Sequence, residues 1–106
     1  MAKVILSPEA IEDIFEIYDY IYEQDGEEQA NIVLGRLEKK IYSLESLAMR
    51  GKLPEELIPF GNRKIREVQE TPWRIFYRPE NDEVFVLSVL DSRRSIAELL
   101  VERLVR

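Results

Sequence analysis

The strongest constraint on this chain is a set of apolar residues at alternating spacings of four and three: Ala30, Leu34, Leu37, Ile41, Leu44 and Ala48. That rhythm keeps one stripe on one face of an α-helix, and it predicts a helix over about residues 27–49. A second helical segment precedes it. Ser7 stands where a helix N-cap is expected, with Pro8 at the first helical position and Glu9 after it. Ile11, Ile14, Phe15, Tyr18, Ile21 and Tyr22 follow at helical spacing and predict a buried face, with the aromatic rings in the core. Glu12, Asp13, Glu16 and Asp19 form a carboxylate row expected to face solvent. Asp25-Gly26 ends this segment. A connection so short makes the two helices lie side by side and antiparallel. The 30–48 repeat is then expected to be a seam within the fold and not a dimerisation zipper.

Around this helix hairpin the sequence predicts strands. Residues 3–6 carry the β-branched pair Val4-Ile5. Residues 50–62 are punctuated by Gly51, Pro54, Pro59 and Gly61 and form a loop. Residues 63–70 read as a charged, partly exposed extended segment with Ile65 and Val68 as its aliphatics. Thr71-Pro72 turns the chain. Residues 73–78 then alternate, with Trp73, Ile75 and Tyr77 on one side and Arg74, Phe76 and Arg78 on the other. Pro79-Glu80-Asn81-Asp82 reads as a hairpin loop. Residues 84–90 are apolar on both sides, as a central strand requires. The last stretch is helical, with Ser95 as cap and Ile96, Leu99, Leu100 and Leu104 on one stripe. The order is β-α-α-β-β-β-α, a single α+β domain over residues 1–106. The first strand has no neighbour in sequence to pair with, so it must join the sheet made by the later strands. The helix hairpin covers one face of this small, mostly antiparallel sheet. The other face is expected to stay uncovered.

Composition narrows the chemistry. With 106 residues, 45% of them hydrophobic, the chain is sized for one real core. It has no cysteine, which excludes disulfides and thiolate ligands and fits a reducing cytoplasm. No apolar run approaches the roughly 20 residues of a membrane-crossing helix. It has no histidine either, which removes the commonest acid–base group near neutral pH. Neither a metal-ligand pattern nor a glycine-rich phosphate loop is present, so no cofactor is expected. The net charge of −6 is uneven: residues 1–30 hold one lysine and nine acids. Residues 61–78 hold five cations against two acids, and residues 91–94 two against one. The expected result is a basic patch on one sheet face, opposite an acidic helix.

Taken together, the stretches SPEAIEDIFEIYDYIY (7–22), residues 30–47, IREVQETPWRIFY (65–77) and VFVLSVLDSRR (84–94) resemble the RelE/ParE toxin superfamily, also called plasmid stabilisation proteins. The resemblance covers nearly the whole chain. It implies the toxin half of a type II toxin–antitoxin pair, hetero-oligomeric with its antitoxin. It also implies one of two activities: ParE-like members poison DNA gyrase, whereas RelE-like members cleave mRNA on the ribosome.

If the chain were a nuclease, the resemblance would place catalytic roles on Arg74 and on Arg93 or Arg94. Lys64 and Arg66 would fall, with a one-residue gap, near a catalytic lysine pair. The tyrosine of the final helix has no counterpart, since residues 96–106 contain none. Arg66 is also a poor general base, because a guanidinium does not deprotonate. Net acidity, the missing tyrosine and the long helix hairpin favour the ParE-like, gyrase-directed reading over the RelE-like one; a non-toxic binding module is the third reading. The residues expected to touch a target are Arg74, Phe76, Arg78, Arg93 and Arg94. Phe76 is expected to be an exposed aromatic between two arginines, and Arg74 and Arg78 each either face a target or pair with Glu67 or Glu70 across the hairpin.

Overall fold

The computed structural model describes residues 2–93 and 96–105. The expected roles of Arg94 and the Ser95 cap, and the packing of the Leu104 side chain, lie outside the described residues.

The elements follow the expected order. They are β1 (Lys3–Leu6), α1 (Pro8–Asp25), α2 (Glu27–Tyr42), α3 (Leu44–Leu47), a 3-10 segment (Glu55–Phe60), β2 (Arg66–Glu70), β3 (Trp73–Glu80), β4 (Glu83–Asp91), α4 (Ile96–Leu100) and a π-helical turn (Val101–Val105). The four strands lie in the order β1-β4-β3-β2. β1 runs parallel to β4, with Lys3 opposite Glu83 and Leu6 opposite Val86, and the other pairs are antiparallel. The first strand thus joins the sheet beside the most apolar strand. Gly26 makes the link between α1 and α2 at a φ of 92°, a conformation that glycine adopts without steric cost.

The helix expected to run unbroken over residues 27–49 is interrupted at Ser43. Its hydroxyl bonds back to the Lys40 carbonyl at 2.6 Å and also accepts from Arg50 Nη2 at 2.8 Å. A serine side chain that competes for backbone groups in this way bends a helix. The seam itself is as expected. Ala30, Leu37, Ile41 and Leu44 are buried, whereas Leu34 is half-buried; Leu37, Ile41 and Leu44, with Val33, pack on Val68, Trp73, Ile75, Tyr77, Val84, Val86 and Val89.

β4 reaches past the end of β1, and two side chains near the start of α1 serve its exposed edge. The Ser7 N–H donates to the Val86 carbonyl at 2.9 Å, and its hydroxyl donates to the Leu87 carbonyl at 3.1 Å. The same hydroxyl caps α1 by accepting from the Ala10 N–H. One turn later Asp13 Oδ2 accepts the Val89 N–H at 3.0 Å. Asp13 is therefore only 5% exposed and does not belong to the solvated carboxylate row expected of it. This contact sets the rotation of the helix. With Asp13 turned inward, Ile14, Ile17 and Ile21 pack on the core. Phe15, two residues on and about 200° round the helix, is turned out. Phe15 and Tyr22 are thus exposed, where burial was expected, while Trp73 is buried as expected.

The second sheet face is covered as well, contrary to expectation. The 3-10 segment and α4 close over it, and Leu57, Ile65, Phe76, Leu90, Ile96 and Leu100 form a second core there. The π-helical turn carries Arg103 back to α1, where Nη1 donates to Asp13 Oδ2 at 2.7 Å and to Ser88 Oγ at 3.2 Å.

A glycine fixes the far edge of the sheet. The Tyr77 hydroxyl donates to the Ala48 carbonyl at 2.7 Å and accepts from the Gly51 N–H at 2.9 Å. Lys52 then exchanges two backbone hydrogen bonds with Glu67, at 3.1 and 2.8 Å, and so covers part of the β2 edge. A Cβ on Gly51 would stand 2.4 Å from the Tyr77 hydroxyl and 2.6 Å from the Glu67 carbonyl. Gly51→Ala is accordingly expected to lower stability by about 1–3 kcal/mol through overpacking. Gly35→Ala, on an open face of α2 with nothing near the added carbon, is expected to raise it by about 0.5–1 kcal/mol. Urea denaturation of the two variants checks both signs.

Candidate functional site

The residues singled out in the sequence lie in different parts of the molecule. Arg74, on the face of β3 turned away from the helix hairpin, is held by two carboxylates. Its Nη1 and Nη2 donate to Glu56 at 2.6 and 2.8 Å. Its Nε donates to Glu67 Oε1 at 3.2 Å, and Nη2 also bonds Glu67 Oε2. Glu67 is fully buried, and the Arg74 side chain is only 13% exposed. Hydrogen bonding to Glu56 and Glu67 raises the Arg74 pKa well above the ordinary arginine value, and the same Arg74 contact lowers that of Glu56. Of the two alternatives for Arg74, the cross-strand pairing is the one found, and its partner is Glu67. Glu56, delivered from the loop by the 3-10 segment, completes a clamp that takes up all of the guanidinium's nitrogens. A cation so enclosed ties the 3-10 segment to the sheet and offers little to an incoming phosphate.

Phe76 was expected as an exposed aromatic. It is wholly buried in the second core, because α4 and the 3-10 segment cover that face. The Arg74 guanidinium lies 5.0 Å from its ring centroid, on the inside of the fold.

Arg78, near the end of β3, lies over the Phe85 ring at 5.1 Å. Its Nε is 3.2 Å from Glu80 Oε2. Arg93 is on the other side of the sheet. Its guanidinium bonds Asp91 at 2.9 and 2.6 Å, which raises its pKa. It lines a cleft of about 300 Å³ with Asp13, Glu16, Tyr20 and Trp73. Lys64 and Arg66 stand beside Arg78 in a separate cleft. Arg66 is tied down by its Nη1, which donates to the Gly51 carbonyl at 2.7 Å.

The single arginine-bearing sheet face expected from the sequence is therefore absent among the described residues. Arg74 is locked into the fold, Arg93 faces α1, and Lys64, Arg66 and Arg78 share one end of the sheet. Lys64, Arg66, Arg74 and Arg93 do not converge on a common point as an RNA-cleaving site would require. Among the described residues no group of three or more Asp, Glu, His or Cys could hold a metal ion.

The larger exposed feature is one that the sequence reading assigned to the core. Ile11, Phe15 and Tyr22 are exposed along the outside of α1 with a half-buried Tyr18 between them, and Phe15 is 63% exposed. Tyr18 and Tyr22 stack with ring centroids 6.2 Å apart. The Tyr18 hydroxyl donates to Asn31 Oδ1 at 2.9 Å, linking the stripe to α2, where Ile32 is also exposed. Glu12, Glu16, Asp19 and Glu23 border it, all exposed. The signal was present in the sequence: the apolar set on α1 spans too much of the helix circumference for one buried face, so part of it had to face out.

Comparison with known proteins agrees with this architecture. The family model for the ParE toxin of the type II toxin–antitoxin system, parDE, matches residues 4–96. The toxin ParE3 of Caulobacter vibrioides is 26% identical over 100 residues, covering 94% of this chain and 96% of that protein. A solved structure described as the chromosomal ParDE TA system from P. aeruginosa superposes with a TM-score of 0.72 at 19% identity. That match covers 86% of this chain and 96% of the other, and it speaks for the fold alone.

The clamp makes two predictions. Arg74→Ala leaves the buried Glu67 carboxylate without its partner, and a loss of about 3–5 kcal/mol is expected by chemical denaturation. The depressed pKa of Glu56 means that its contribution is present above the unfolded carboxylate pKa and disappears as pH falls through the folded value. In urea melts between pH 7 and pH 3, Glu56→Gln should lose less stability on acidification than the parent chain.

Proposed function

The chain belongs to the ParE toxin family of type II toxin–antitoxin systems, and on that premise we propose that it inhibits DNA gyrase in the cytoplasm and is held inactive by a cognate antitoxin. The observation that carries the antitoxin half is the outer stripe of the helix hairpin. Ile11, Phe15, Tyr22 and Ile32 are exposed although two complete cores lie beneath them. The spacing of Ile11, Phe15 and Tyr22 along α1 is that of an anchor row for an amphipathic helix laid alongside it. Covering large apolar groups of this kind is worth roughly 1.5–3 kcal/mol each when burial is complete. The acids along the border favour a partner helix whose flanks are basic, since matched charges speed encounter and fix register.

The choice of gyrase over mRNA rests on the family and on the state of Arg74. An arginine fixed by Glu56 and Glu67 is poorly placed to stabilise a scissile phosphate. Inhibition of gyrase asks for no proton-transfer group of the toxin's own. It asks for a surface.

Co-expression with the protein encoded beside it tests the first half. The untagged neighbour is expected to co-purify with this chain, and Phe15→Glu, at a position already in solvent, is expected to weaken that capture at least tenfold while leaving the melting temperature unchanged. Recovery of the same complex with Phe15→Glu would refute the hairpin as the antitoxin surface. For the second half, expression without the neighbour is expected to accumulate broken DNA and induce the DNA-damage response. Cuts in mRNA at codon positions would instead establish the nuclease.

A further inference from the structure

The described arginines divide into two groups by what neutralises them. Arg36, Arg74, Arg78, Arg93 and Arg103 each lie within 4 Å of a carboxylate. Arg50, Arg63 and Arg66 have no carboxylate partner among the described residues; Arg50 bonds the Ser43 hydroxyl, and Arg66 the Gly51 carbonyl. In a chain with 21 acids and 15 bases, a cation left without a carboxylate is the less expected outcome. Two of the three lie together, whereas Arg50 lines a different cleft with Arg36, Lys40 and Glu70. Arg63 and Arg66 line one cleft with Lys64 and Arg78, and Arg50 follows Met49, which forms part of its wall. Arg50 and Arg66 also both act electrostatically on the Tyr77 hydroxyl. Against them the cleft presents the single carboxylate of Glu80.

Two further details describe how the cations of this cleft are held. Arg78, stacked on Phe85, keeps its buried Nε 3.2 Å from Glu80 Oε2 but out of hydrogen-bonding geometry, so the guanidinium is paired only loosely. Arg66 is fixed through one nitrogen, so its position is set while the rest of its guanidinium stays free of carboxylates.

We propose that this cleft, between the 63–66 segment and the β3–β4 turn, binds an acidic peptide segment that also carries an apolar side chain. At about 650 Å³ it has room for much more than a lone inorganic anion. Its walls are mixed. Met49, 64% exposed, and Pro79 offer apolar contact beside the cations. Nucleic acid fits less well. A strand bound through phosphates needs a basic track along which counterions are released, whereas here the cations are confined to one bounded cleft. The molecule's −6 charge, concentrated in the first thirty residues, also repels a long polyanion more strongly than a short acidic peptide. The inference concerns the chemistry of the cleft and does not depend on which protein carries the segment.

The test is a titration of the isotopically labelled full chain, followed by amide NMR, and it needs neither gyrase nor antitoxin. The probes are a capped octapeptide alternating Glu and Leu, the same peptide with Lys for Glu, an eight-nucleotide single-stranded DNA, and inorganic phosphate. The Glu/Leu peptide is expected to shift the amides of Lys64, Arg66 and Asn81, with affinity falling as salt rises. The Lys/Leu peptide should leave them unmoved. Arg63→Glu combined with Lys64→Glu, both at exposed positions, should weaken the Glu/Leu peptide at least tenfold without changing the fold. Three outcomes would each overturn the assignment: no shifts at millimolar Glu/Leu peptide, affinity within twofold in the charge-reversed variant, or tighter binding of the oligonucleotide or phosphate at the same amides.

Discussion

The fold depends on how the outer edge of β4 is satisfied. This strand is the most apolar in the sheet, and β1 pairs with just its first four residues, 83–86. Beyond that point its carbonyls and N–H groups would be left without partners, at a cost comparable to a lost hydrogen bond each. Ser7 and Asp13 supply what β1 does not. Because both belong to the start of the helix hairpin, the same contacts that complete the strand also seat α1, set its rotation, and decide which of its side chains face inward. Arg103 then bonds the same Asp13 oxygen from the other end of the chain. The helical layer, the sheet and the C-terminal segment are joined at one carboxylate.

Much of the architecture was legible because periodicity reports burial directly. The seam from Ala30 to Ala48, the central position of β4, the pairing of β1 with a later strand and the buried Trp73 all follow from spacing and strand order. The rotation of α1 was not legible in the same way. Its apolar residues fill both an inner and an outer stripe, and hydropathy does not distinguish them; the deciding term is a single aspartate hydrogen-bonded to a backbone amide 76 positions away. The second sheet face was misjudged for a related reason. Phe76 stands between two arginines, which looks like an exposed surface, but the loop holding Leu57 and the short α4 fold back over it. Glu56 arrives with that loop and converts Arg74 from a candidate contact into an internal tie.

The charge distribution shows the same contrast between composition and placement. A local excess of cations over residues 61–78 was visible in the sequence, yet that excess is not one surface. Part of it is neutralised inside the fold by Glu56 and Glu67, and the remainder gathers at the end of the sheet near the β3–β4 turn. An acidic helix with an apolar outer stripe and a basic cleft are thus two surfaces of opposite character on one small domain.

The pairing of β1 with β4 has a consequence for the birth of the protein. Ser7 and Leu87, which touch in the finished fold, are 80 positions apart, so the sheet cannot close until nearly all of the chain has left the ribosome. Contacts of such long range slow folding. The helix hairpin, by contrast, needs only local closure and forms early in vectorial synthesis. For that interval its inner and outer stripes are both bare, and the nascent chain is at its most vulnerable to aggregation. Any surface able to cover those stripes would find them most accessible at this stage, before the sheet has claimed the inner one.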